Sequence, residues 1–333
     1  MSRPLVLITG GAGFIGSNIA ARLCAQGEYE VVVCDRLRAA ADGKCKNIAK
    51  HGVSDFVAPE ALFDWLESSK RHLDGIIHMG AISSTTEPDA DRILHANFTL
   101  SRDLWDWCSL RAKRFVYASS AATYGDGAQG FSDADDEARL LSLRPLNAYG
   151  YSKALFDLYA RRAAERGEQP PSWAGLKFFN VYGPNEYHKG SMKSVVAQVW
   201  PKIRDGEPVK LFRSHRNDYP DGGQLRDFVH VDDAVSMVLW MFEHQELAGI
   251  YNCGTGQARS FEDLATAAYN AVDRLPAIEY VDMPEAIRPN YQYFTEADLM
   301  RVRAAGSDRP FVTLEDGVHD YVAGFLAQAD PYR

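Results

Sequence analysis

Through the first 180 residues the apolar positions switch repeatedly between two periods. Leu5–Thr9 is a continuous apolar run of strand length, and Phe14–Gln26 carries apolar residues at helical spacing. The alternation continues with a Val-rich strand at Glu30–Asp35, a helix at Pro59–His72 and a buried strand at Gly75–His78. A longer helix follows at Asp89–Leu110, a strand at Arg114–Ala118, a helix at Tyr149–Arg166 and a strand at Leu176–Asn180. Strand and helix in repeated alternation imply right-handed crossovers. The expected fold is therefore α/β, a Rossmann-type doubly wound parallel sheet.

After about residue 181 the rhythm breaks. Gly183-Pro184 and the stretch Arg213–Leu225, with Pro220, Gly222 and Gly223, predict long loops. Helical periods return at Asp232–His244, Ser260–Val272 and Thr313–Gln328, while Ile250–Cys253 predicts a strand that rejoins the sheet. The pattern divides the chain into a nucleotide-binding domain over 1–180, with return segments near 228–255, and a smaller C-terminal α/β substrate lobe over 181–333.

Composition narrows the class. The 333 residues are 46% hydrophobic and 24% charged, as in an ordinary globular protein. No apolar run approaches the ~18 residues of a membrane span. Met1–Ile8 passes straight into glycine-rich sequence without a signal-peptide cleavage site, so no membrane partner and a cytoplasmic location are expected. The net charge of −9 argues against a nucleic-acid surface, which needs a basic field, but allows a local basic pocket for a small phosphate. Cys24, Cys34, Cys45, Cys108 and Cys253 are scattered, with no C-x-x-C, so they are expected to be reduced and to hold no metal.

Between the first strand and first helix lies Thr9-Gly10-Gly11-Ala12-Gly13-Phe14-Ile15-Gly16. Glycines at 10, 13 and 16 suit a tight turn, close backbone approach to a pyrophosphate, and helix–strand packing, while the helix N-terminus offers free N–H groups to phosphate. This predicts dinucleotide binding. Asp35 ends the second strand, where a carboxylate takes the ribose hydroxyls of NAD. Arg36, with Arg38, Lys44 and Lys46 nearby, could instead neutralise the 2′-phosphate of NADP, so both cofactors stay open.

Tyr149-Gly150-Tyr151-Ser152-Lys153 opens a helix about thirty residues after Ser119-Ser120 closes a strand, and Tyr149 and Lys153 share one helical face. A free phenol titrates near ~10, so a tyrosine base at neutral pH needs a shift of roughly 3 units, about 4 kcal/mol. A neighbouring ammonium and an oxidised nicotinamide are the kinds of charge that supply it, and a seryl hydroxyl can relay the proton.

Together with Arg226-Asp227-Phe228-Val229-His230-Val231-Asp232-Asp233, these motifs resemble the extended short-chain dehydrogenase/reductase superfamily. Longer stretches are similar to the ADP-L-glycero-D-manno-heptose 6-epimerase family. They are His78–Glu87, Ala118–Gly125, Phe179–Pro184, His188–Met192, Tyr291–Thr295 and Arg303–Gly306. The resemblance implies inversion of C6″ of an ADP-heptose by transient oxidation and reduction with bound NADP, a step toward the lipopolysaccharide inner core, performed by a homo-oligomer. It implies Tyr149 and Lys189 as acid/base groups, Lys153 at the nicotinamide ribose, lowering the Tyr149 pKa, and Ser120 rather than Ser119 as the catalytic hydroxyl. Gly10, Gly13, Phe14, Ile15, Gly16, Asp35, Arg36, Lys44, Gly80, Ala81, Ser83 and Asn97 would line the cofactor. Ser120, Asn180, Ser191, Gln198, Phe212, Arg226 and Tyr291 would meet the substrate.

Three positions depart from the family pattern. Phe212-Arg213-Ser214-His215 and the insertion running to Gln224 replace a shorter stretch near the nucleotide, Gln198 replaces a histidine at the sugar, and Met79 replaces a carboxylate. Rival readings are a 4-epimerase or reductase acting on another nucleotide sugar, or a non-catalytic NADP-binding regulator. A 4,6-dehydratase is disfavoured because Ala121 and Ala122 stand where its Asp-Glu pair would be.

Overall fold

The computed structural model describes every residue except 1–2, 38–42, 70, 86, 286–287 and 289–290, so Arg38 and Thr86 lie outside the described residues. Its strands in chain order are β1 (Leu5–Thr9), β2 (Glu30–Cys34), β3 (Asp55–Val57), β4 (Leu73–His78), β5 (Arg114–Ser120) and β6 (Trp173–Phe178). They continue with β7 (Asn180–Tyr182), β8 (Val209–Phe212), β9 (Leu225–His230), β10 (Ala248–Cys253), β11 (Ala258–Ser260) and β12 (Ile278–Val281). Seven of them form one parallel sheet in the order β10-β6-β5-β4-β1-β2-β3. The chain winds outward from β1 through β2 to β3, then returns to β4 and winds the other way. The reversal lies between β1 and β4, where ligands bind sheets of this kind.

All five side chains of β1 are buried, and they alternate between the two faces. Val6 and Ile8 join Ile19, Leu23, Val235 and Val238 beneath the helices Phe14–Gln26 and Val231–Glu243. Leu5 and Leu7 join Leu104, Trp105, Phe156 and Ala160 beneath Leu100–Leu110 and Ala148–Glu165. Covering both faces explains why these strands read as unbroken apolar runs. A third core gathers the helices Val195–Asp205, Phe261–Asn270 and Leu314–Tyr321 around Phe228. Two small sheets, β11-β9-β7 and β12-β8, lie in the second half of the chain.

Three expected helices differ from expectation in instructive ways. Pro59–His72 is a 3₁₀ turn at Pro59–Ala61 and an α-helix at Leu62–Ser68, because Leu73 already pairs with Leu5 in the sheet. The stretch after Asp89 begins with that residue as N-cap, its carboxylate accepting from the Arg92 N–H at 2.9 Å, but a π turn at His95–Thr99 interrupts it. The last helix likewise ends in a π turn, at Val322–Leu326. Among the described residues no helix is long and apolar enough to cross a membrane.

Candidate active site

The glycine turn sits at the reversal. Gly10 has φ +65°, and a Cβ there would fall 2.7 Å from both the Cα and the N of Gly80, which follows β4. A Cβ on Gly16 would fall 2.2 Å from the Gly10 carbonyl oxygen, so the helix reaches its place against the turn only with glycine. Gly13 caps that helix without a side-chain hydrogen bond, and the first turn holds no acidic residue. Bare N–H groups at the positive end of a helix, beside a cradle that any side chain would fill, fit a dinucleotide pyrophosphate. Phe14 is buried and Ile15 half-buried at this end.

Asp35 is tied into the same turn. Its carboxylate accepts from the Ala12 N–H at 2.9 Å and the Arg36 N–H at 2.6 Å, and pairs with the Lys44 ammonium at 2.5 Å. Arg36 lies on the exposed side, bonded through Nε to Glu60 at 2.9 Å. Across the reversal, the Thr9 hydroxyl meets His78 Nδ1 at 2.6 Å and Ser101 meets its Nε2 at 2.9 Å. Burial lowers the His78 pKa to about 3, so the imidazole is neutral at physiological pH. The extra residue of the π turn aims Asn97 inward: its Oδ1 accepts from the Ile82 N–H at 2.8 Å, and its Nδ2 donates to the Ser152 hydroxyl at 3.0 Å. Asn97 thereby shapes the segment carrying Gly80, Ala81 and Ser83 and links it to the Tyr149 helix, since the Ser152 hydroxyl donates to the Tyr149 carbonyl at 2.7 Å.

That helix, Ala148–Glu165, starts at Asn147, whose side chain accepts from the Gly150 N–H at 2.9 Å. Its first turn brings the Tyr149 phenol into hydrogen bonding with Ser120 at the end of β5. The two serines separate by strand alternation. Ser119 points to the opposite side, where its hydroxyl donates to Asp157 at 2.7 Å, leaving Ser120 with the phenol. Lys153 is buried and donates to the Ala118 carbonyl at 2.7 Å. Burial lowers its pKa to about 8, against the opposing pull of Asp157, so it remains mostly cationic at pH 7. Burial pushes the Tyr149 phenol up, and the Ser120 hydrogen bond draws it down. Of these two influences desolvation is the larger.

Behind these groups lies a charged network absent from the sequence reading. Lys177 on β6 and Asp157 pair at 2.5 Å, both almost wholly excluded from water. Asp157 also accepts from the Tyr117 hydroxyl at 3.0 Å, and Lys177 donates to Thr123 at 2.8 Å. A pair twenty residues apart on a strand and a helix leaves no periodic trace in sequence.

Lys189 lies in the 3₁₀ segment Tyr187–Met192, with its ammonium 5.2 Å above the Phe14 ring. Three asparagines stitch the approach to this segment onto the glycine turn. Asn18 donates to the Pro184 carbonyl at 3.0 Å, Asn47 to the Ala12 and Asn185 carbonyls at 3.0 Å each, and Asn185 to the Ser17 hydroxyl at 3.1 Å. Ser191 is exposed, and Gln198 donates to the Ser191 and Lys193 carbonyls at 3.2 and 2.7 Å, so this glutamine braces the loop. Asn180 is exposed at the start of β7. Phe212, Tyr291 and Arg226 meet elsewhere. The two rings stand 6.4 Å apart edge to face, and the guanidinium lies 5.3 Å above Tyr291. Arg226 donates to the Leu225 carbonyl at 2.8 Å and to that of Gln292. Asp227 binds Thr255, Gly256 and Ala297 instead of its arginine neighbour. The insertion adds Arg216, 5.2 Å above the Tyr293 ring.

Residues 6–254 match the NAD dependent epimerase/dehydratase family. The ADP-L-glycero-D-manno-heptose-6-epimerase of Nitratidesulfovibrio vulgaris is 47% identical over 330 residues, covering 98% of this chain and all of that protein. Among solved structures, the ADP-L-glycero-D-manno-heptose-6-epimerase of Helicobacter pylori superposes with a TM-score of 0.79 at 27% identity, covering 97% of this chain and 96% of that one. The UDP-glucose 4-epimerase of Thermus thermophilus, solved in complex with NAD, superposes with a TM-score of 0.74 at 28% identity, covering 96% and 98%.

Proposed function

The chain belongs to the NAD dependent epimerase/dehydratase family, and from that membership we propose how its residues invert one carbon of a nucleotide sugar. Its activity is epimerisation of an ADP-heptose at C6″, an isomerase reaction that uses a nicotinamide dinucleotide. The observation that supports the residue-level reading is that two proton-handling groups lie beyond the C-terminal ends of two strands of the one parallel sheet. Tyr149 is held by Ser120 beyond β5, and Lys189 is held over Phe14 beyond β1.

A bound nicotinamide would supply the chemistry of hydride removal from the C6″ carbinol and hydride return to the resulting 6″-ketone. The chain manages the oxygen-bound proton. One group withdraws it as the carbinol is oxidised. The other delivers a proton to the ketone oxygen as the opposite face is reduced. We assign these roles to Tyr149 and Lys189. Ser120 orients the phenol and relays its proton, and Lys153 holds positive charge one helical turn away. Gly10, Gly13 and Gly16 admit the pyrophosphate, and Arg226 suits the substrate diphosphate, because its fork binds two oxygens at once. Residues 1–180 with the returning β10 would carry the cofactor, and the rest of 181–333 the sugar nucleotide.

We propose NADP as the preferred cofactor. Lys44 balances the charge of Asp35, so a 2′-phosphate would meet a neutralised carboxylate, with the guanidinium of Arg36, paired to Glu60, next to it. Lys44→Ala is expected to weaken NADP+ binding about tenfold or more and NAD+ binding much less in a fluorescence titration. Equal losses would contradict the preference. We also place the enzyme in the cytoplasm as a homo-oligomer. A monomer mass by light scattering would remove the second part.

The activity is tested by incubating the purified protein with ADP-D-glycero-D-manno-heptose and following C6″ by NMR. Both epimers should appear without stoichiometric NADPH consumption. A single epimer at all times, or consumption of one NADPH per sugar, would remove the epimerase reading.

A further inference from the structure

Glu186 is fully buried, three residues before Lys189. Its two oxygens accept from one residue: Oε2 from the Ser194 N–H at 2.5 Å, and Oε1 from the Ser194 hydroxyl at 2.5 Å. Ser194 is also the N-cap of the helix Val195–Asp205. The segment 186–194 is therefore a loop closed at its base by a carboxylate, and Lys189 and Ser191 ride on it. Within the loop the Lys189 N–H donates to the Glu186 carbonyl at 3.0 Å, and Gly190 turns the chain with φ +57°.

Burial raises the Glu186 pKa, while the two Ser194 bonds and the Lys189 charge draw it down, so the carboxylate depends on these partners to carry its charge. The titratable groups facing it are Tyr187 and Lys189 on its own loop and Tyr321 from the helix Leu314–Tyr321. Lys189 supplies the positive charge. Its ammonium is desolvated above Phe14; burial lowers its pKa, and Glu186 raises it.

We propose that Glu186 is a positioning residue for Lys189, closing the loop that presents the amine and supplying the counter-charge that holds it in a dry site. This rests on the reading of Lys189 as an acid/base group. A carboxylate bonded twice to one capping serine fixes the loop ends, and the same charge acts on the amine from one helical turn away. The site thus gains a rigid base beneath a turn that is exposed only at Gly190 and Ser191.

The test is a double-mutant cycle on the full chain with its cofactor. Lys189→Met should lower kcat about 100-fold or more. Glu186→Gln should lower kcat about tenfold, leave KM and NADP+ affinity within about threefold, and move the pH limb carried by Lys189 to lower pH. In the Lys189→Met background, Glu186→Gln should add nothing. Multiplicative losses in the double variant, or an unmoved pH limb, would overturn the role of Glu186 while leaving Lys189 in place. A Lys189→Met enzyme within threefold of the parent would instead remove the reading beneath it. If Glu186→Gln does not fold, Ser194→Ala keeps the carboxylate and removes one of its two bonds. Its kcat loss of a few-fold should vanish in the Lys189→Met background, and persistence there would overturn the inference.

Discussion

Tyr149→Phe lowers kcat for C6″ epimerisation by about 10²–10⁴-fold, the range expected for loss of a positioned acid/base group. The phenyl ring keeps the packing of the half-buried tyrosine, and the Asn147 cap of its helix is untouched, so cofactor affinity and melting temperature should stay close to the parent values. The loss belongs to the hydroxyl, which binds Ser120 and whose pKa the burial raises. Stopped-time NMR turnover, with a parallel cofactor titration, measures both quantities. A kcat within threefold of the parent would show that proton transfer goes through another group.

The second large effect concerns stability. Lys177→Met leaves Asp157 buried without its cation, while Tyr117 and Ser119 still donate to it. Breaking a buried pair from one side costs about 3–5 kcal/mol, because the remaining charge is uncompensated. For a chain of this size the melting temperature should fall by about 4–7 °C. Adding Asp157→Leu should recover part of the loss, because the stranded charge is then gone. Calorimetry on the single and double variants checks both signs. A Lys177→Met protein as stable as the parent would mean that water reaches the pair. Asp157 also raises the Lys153 pKa, so the network beneath the site bears on the charge state of the lysine above it.

These buried groups mark where sequence and structure part. The turn from β1 into its helix was legible because the apolar period changes from continuous to helical across three spaced glycines, and the cradle at Gly10 and Gly16 admits no Cβ. Tyr149 and Lys153 were legible because one helical turn separates them. The preference for Ser120 over Ser119 came from resemblance, and the alternation of β5 supplies its physical reason. The π turn at His95–Thr99 was not legible, since one added residue shifts the helical phase without altering composition, yet it aims Asn97. The helix Val195–Asp205 is masked in the sequence by Pro201, which lies inside it. Glu186 and Lys177 leave no signal in the sequence because their partners are fixed by packing, which hydrophobic periodicity does not encode.

The central claim is that one hydrogen leaves C6″ and returns to it, while Tyr149 and Lys189 move only the proton on oxygen. Following ADP-heptose deuterated at C6″ in ordinary water by NMR tests this most directly. The account predicts that both epimers form and that each keeps its deuterium. Epimerisation with loss of the label to solvent would contradict it.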